Sequence, residues 1–163
     1  MKTGKAELVA QVAAWLPGRL RSAHRGWSAR VMDTSGTTLS ASLYRLGLHR
    51  AFPRWESFNF NVDITGLLQR GERAELVFVE CSTAPLSLKD IGPLLARSVV
   101  ASPVLSAIIS PGGLSTSLDL LLNTYNRVDI LEYGGGRRVK IARWDPSRKQ
   151  VDPASVLPPG ELG

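Results

Sequence analysis

Two apolar runs flank one amphipathic segment in the middle of the chain, and no other feature restricts the fold as strongly. The first run, Glu75–Cys81, reads ELVFVEC, and the second, Val104–Ile109, reads VLSAII. Runs that are apolar at consecutive rather than alternate positions suit strands covered on both faces. Between them, Ser87–Ala101 has helical character, with Ser87 as N-cap and Asp90 at the capping-box spacing of three. A strand, a helix and a second strand in this order cross over right-handed and set the two strands parallel. Upstream, Phe58–Leu67 alternates, which predicts Phe58, Phe60, Val62 and Ile64 on one side and Asn59, Asn61, Asp63 and Thr65 on the other. The short charged turn Gln69–Arg73, with Gly71, makes this strand antiparallel to the next.

The flanks add further elements. Leu8, Val9, Val12, Trp15 and Leu16 recur at helical spacing and predict a helix over 5–22, which Pro17 is placed to kink or end. Trp27–Met32 reads as a short strand, and Ser40–Arg50 as a helix built on Leu43, Leu46 and Leu48. Leu114–Tyr125 predicts another helix, and Val128–Tyr133 with Arg138–Trp144 a hairpin across Gly134-Gly-Gly. The expected fold is therefore α/β, a mixed sheet flanked by helices with a C-terminal helix and β-hairpin. One domain over 1–145 is expected, with a Pro-rich tail over 146–163 lying loosely on the surface.

Composition narrows the functional classes. A hydrophobic share of 44% and a charged share of 21% are globular values, which excludes a disordered or fibrous chain. No apolar run approaches the ~18 residues of a membrane span, and Glu7 and Gln11 interrupt any N-terminal signal core. An intracellular, cytoplasmic protein with no membrane partner is the expectation. One cysteine, Cys81, leaves no internal disulfide and no Cys-rich zinc cluster, and its apolar strand marks it as a packing residue. Charge is distributed unevenly. Residues 1–56 hold nine basic and three acidic groups, 57–133 five and eight, and 134–163 six and three. Basic flanks around an acidic centre suit a polyanion, because phosphate contacts dominate nucleic-acid affinity; a solvated Arg-rich surface is the alternative. Arg137, Arg138 and Lys140, beside the glycine triplet, are the candidate phosphate contacts, against a merely flexible hairpin tip.

The chemistry lies where polar residues end the central strands. Asp63 comes late in one strand and Glu80 closes the next, so the hairpin brings two carboxylates to one edge of the sheet. Like charges held side by side call for a cation, and Mg²⁺ takes one or two carboxylates while keeping several waters. Two ordinary strand-end acids are the alternative. The segment VDITGLLQRGERAELVFVECSTAPLSLKDIGPLLA resembles the PD-(D/E)XK nuclease superfamily, the restriction-endonuclease-like fold. The resemblance covers roughly 5–110 and implies an αβββαβ core. It further implies a metal-dependent endonuclease hydrolysing phosphodiester bonds, acting on DNA rather than RNA. It places Asp63 and Glu80 at Mg²⁺, with Mn²⁺ as substitute, and adds the Cys81 backbone carbonyl and Glu7 as further ligands. A homodimer would suit cutting two strands, and nothing in the residues fixes one.

One departure bears on activity. Ser82 stands where the family has its lysine, so E-x-K becomes Glu80-Cys81-Ser82. In some members that group moves to the following helix. Lys89, in the first turn of that helix, is the residue that would fill the role. If Lys89 is only a solvated helix lysine, the fold would serve as a non-catalytic nucleic-acid-binding or structural module. An unrelated small α/β interaction protein is the remaining alternative, should the two carboxylates lie apart.

Overall fold

A computed structural model describes residues 4–162. The principal elements are α1 (Lys5–Ala23), β1 (Ser28–Asp33), α2 (Leu39–Arg45), β2 (Ile64–Arg70), β3 (Arg73–Cys81), α3 (Leu88–Ala101) and β4 (Leu105–Ser110). They are followed by α4 (Thr116–Asp119), β5 (Glu132–Gly134), β6 (Arg137–Arg138), β7 (Lys140–Asp145) and β8 (Gln150–Val151). Six strands form one sheet in the order β1-β2-β3-β4-β7-β8. The pairs β1–β2, β2–β3 and β7–β8 are antiparallel, while β3–β4 and β4–β7 are parallel. The sheet is mixed, as the apolar runs require.

The consecutive apolar residues of β3 serve two cores. Val77, Val79 and Cys81 pack in one core with Leu8, Val12, Leu16 and Leu20 of α1. Leu76 and Phe78 pack in the other with Leu43 of α2 and Ile91 and Leu94 of α3. Full burial of each such aliphatic side chain contributes about 2 kcal/mol. The helix α1 continues past Pro17 to Ala23, because a proline forfeits one backbone bond while the buried stripe runs on to Leu20. It lies close against β2. A methyl group on Gly66 would stand 3.0 Å from Val77 Cβ and 3.3 Å from Leu20 Cδ1. In α3 the Asp90 carboxylate accepts hydrogen bonds from the Ser87 N–H (2.9 Å) and hydroxyl (3.1 Å), as the spacing predicts.

Four expectations are corrected. The strand predicted over Phe58–Leu67 begins only at Ile64. Phe58, Phe60 and Val62 belong to the α2–α3 core, whereas Ile64 belongs to the α1 core. The extended stretch before it bonds elsewhere: the Leu39 N–H donates to Phe60 O and the Ser40 N–H to Phe58 O, both at the start of α2. The predicted helix Leu114–Tyr125 is one α-turn followed by a wider π-turn over Leu120–Thr124. Val128–Leu131 is a 3₁₀ turn, so the glycine hairpin shrinks to β5 and β6. β7 then enters the main sheet, where Ile141, Ala142 and Trp144 are buried. Finally, the proline-rich tail packs rather than trails. Val151, Val156 and Leu162 are buried in the α1 core, and Leu157 exchanges backbone bonds with Ile141.

Candidate functional site

Continuing the β2–β3 register one residue beyond the Ile64–Val79 pair sets Asp63 across from Glu80. Asp63 is buried, at 7% exposure, and its Oδ2 accepts a 2.9 Å hydrogen bond from the Cys81 N–H. Its backbone is fixed too, since the carbonyl accepts from the Thr34 N–H at 3.0 Å. Glu80 points toward α3, where Arg97 Nη1 donates to its Oε1 at 3.1 Å. The Arg97 guanidinium also lies 6.0 Å from the centre of the Phe60 ring.

The electrostatics follow from this crowding. Burial pushes the Glu80 carboxyl up to about 8, and the Asp63 carboxylate beside it pushes the same way. Arg97 opposes both and is outweighed. Burial, then the two neighbouring carboxylates, also raises the Cys81 thiol, which keeps it a neutral packing group. The second cation comes from the start of α1: Lys5 Nζ is 3.4 Å from Asp63 Oδ2, on a side chain 57% exposed. Lys5, Glu80, Ser82, Thr83, Lys89 and Arg97 share the lining of one open cleft of about 290 Å³.

The predicted residues are distributed as follows. Asp63 and Glu80 come together at the end of the parallel strand pair. The contact that Cys81 makes in the site runs through its N–H. Glu7 is exposed, accepts a 3.3 Å bond from Gln11, and is not among the residues lining the cleft; Lys5 is the α1 residue that reaches the acids. Lys89 is exposed and lines the cleft, but the cation on Glu80 is Arg97, two turns further along α3. Ser82 is engaged with Ala84 in the loop that follows β3. Arg137, Arg138 and Lys140 line a separate cleft with Val104 and Leu105. That is the opposite end of β4, since Leu105 pairs with Val77 and Ile109 with Cys81. There Arg137 donates to the Ser102 and Pro103 carbonyls, and Lys140 to that of Pro158.

Sequence reasoning missed Lys5 and Arg97. No local pattern announces either, because each reaches its acid only through the docking of a whole helix. Asp63 and Glu80 fit a hard divalent cation on the chemistry of the donors: two adjacent carboxyl groups, of which Glu80, held protonated by burial and by Asp63, would give up its proton to a metal ion. Among the described residues, no group of three or more His, Cys, Asp or Glu is gathered at one point. A scan against protein-family models gives no match, and a search of curated proteins gives none.

Proposed function

We propose that this protein is a divalent-metal-dependent nuclease of the restriction-endonuclease-like αβββαβ class, hydrolysing phosphodiester bonds in DNA. The observation that carries this reading is the Asp63–Glu80 pair, two carboxylates opposed across β2 and β3 beside a cleft lined by lysine and arginine. Asp63 and Glu80 would hold Mg²⁺ or Mn²⁺, which when bound supplies an activated water and offsets charge on the phosphate. The Cys81 N–H orients Asp63 and thereby fixes the direction of its second oxygen. Arg97 orients Glu80 through a charge-assisted bond. Lys89 and Lys5 each present an ammonium from the cleft lining. Either stands ready to stabilise negative charge as the pentacovalent phosphorus forms, the role that Ser82 cannot fill.

The test is cleavage of duplex DNA with Mg²⁺ or Mn²⁺. Asp63→Asn and Glu80→Gln are expected to abolish cleavage, and Lys89→Ala to slow it on the order of a hundredfold with DNA affinity unchanged. Full activity in Lys89→Ala would transfer that role to another cation. DNA binding by the wild type without any cleavage would defeat the enzymatic reading. A non-catalytic module is the second reading, and one observation favours it: each acid already has a cation of its own chain, Lys5 on Asp63 and Arg97 on Glu80.

A further inference from the structure

The end of α2 and the connection from it to β2 carry an aromatic cluster of Tyr44, His49 and Trp55. Tyr44 is stacked on Trp55 with ring centres 5.8 Å apart and planes 22° apart. His49 touches both rings, at 4.9 Å and 4.8 Å between centres. Trp55 anchors the group on the α2–α3 core, while Tyr44 is 64% exposed. The ring that Tyr44 exposes is thus backed by a second aromatic plane. The His49 Nδ1 atom is buried there without a hydrogen-bond partner.

The charges on this same segment say what kind of partner fits. Arg45, Arg50 and Arg54 are all exposed, and among the described residues none is in a salt bridge. Glu56 is the one acid in the same stretch. An exposed π-face, with three arginines outside the salt bridges next to Tyr44, His49 and Trp55 in sequence, matches a nucleobase on its phosphodiester backbone, where stacking is tolerant of base identity and arginines follow the phosphates. A base within a duplex offers no free face, so the partner has to present unpaired nucleotides. The cluster is followed along the chain by residues of the carboxylate site. The same connection runs on to Phe60, which lies beside Arg97, and then to Asp63.

We propose that Tyr44, stacked on Trp55 in a segment that also carries the exposed Arg45, Arg50 and Arg54, is a base-stacking platform for single-stranded nucleic acid, which gives the substrate an unpaired segment. This rests on the reading of the protein as nucleic-acid-binding and adds the form of the strand.

The experiment compares a labelled oligothymidine of ~20 nucleotides, longer than a typical single-strand site, with a blunt duplex of equal length. The full chain is used, as wild type, Tyr44→Ala and Tyr44→Phe. Tyr44→Ala is expected to weaken single-strand binding on the order of tenfold, the loss of one stacked base. Duplex binding should stay unchanged and Tyr44→Phe should retain wild-type affinity. Quenching of tryptophan emission by the single strand in the wild type that is lost in Tyr44→Ala supports the stack. An unchanged single-strand affinity in Tyr44→Ala, or an equal loss on duplex, would overturn the platform. Tyr44 is exposed, and matching thermal melts show that the variants are folded. Duplex cleavage with no single-strand binding would remove the platform and leave the nuclease reading standing. Tyr44-dependent single-strand binding without cleavage of any substrate would do the reverse.

Discussion

Glu80 is held between an acid and a base, and burial together with the acid wins. Its carboxyl loses the proton near 4.5 in the unfolded chain and at about 8 in the folded one. Between those values the folded state keeps a proton that the unfolded state has shed, so stability falls as pH rises. The contribution is fully present below the lower value and is lost by the upper one. One such group sets a slope of up to about 1.4 kcal/mol per pH unit within the window. Glutamine cannot titrate. Glu80→Gln is therefore expected to flatten the fall in thermal stability between about pH 5 and pH 8, the span bounded by the raised carboxyl. Equal slopes in wild type and variant would show that the burden of burial falls on another group.

At the scale of elements, the β3–α3 loop is the part that sets Ser82 and Lys89 relative to the acids. It is held by the loop after β4: the Ser110 hydroxyl donates to Ala84 O at 2.6 Å, and the Leu86 N–H to Gly113 O at 2.8 Å. Gly112 makes that approach possible, since a Cβ there would lie 2.8 Å from the Pro85 nitrogen. Backbone cannot yield as a flexible side chain does, so Gly112→Ala should cost roughly 1–3 kcal/mol of stability. Denaturant unfolding measures this, and an unchanged midpoint would contradict the close packing. The elements around this loop were the most legible in the sequence. β3, α3 and β4 each carry an unbroken apolar pattern with clear ends, and all three form where expected. Phe58–Val62 misled because extended chain alternates whether its bonds go to a strand or, as here, to the start of a helix. The tail misled because proline predicts irregularity, which is true of it, and irregular chain can still bury Val156 and Leu162.

For the whole molecule, the sheet does the work of assembling the site. A tight hairpin fixes the register that opposes Asp63 and Glu80, so both acids were legible from a turn length and two strand ends. The cations were not. Lys5 arrives because α1 docks on one face of the sheet, and Arg97 because α3 docks on the other. Neither docking angle is written in local sequence. Helices on opposite faces thus converge on one pair of carboxylates, and the proposed activity requires that this pair take a metal ion. Thermal melts of the full chain with and without Mn²⁺ answer this most directly. A site saturated a hundredfold above its Kd stabilises the folded state by about 2.7 kcal/mol, which is a shift of several degrees for a chain of this size. The expected result is a rise in Tm for the wild type and none for Asp63→Asn with Glu80→Gln. A wild type that does not respond, or a response that survives the double substitution, would contradict the claim that these two carboxylates are the metal site.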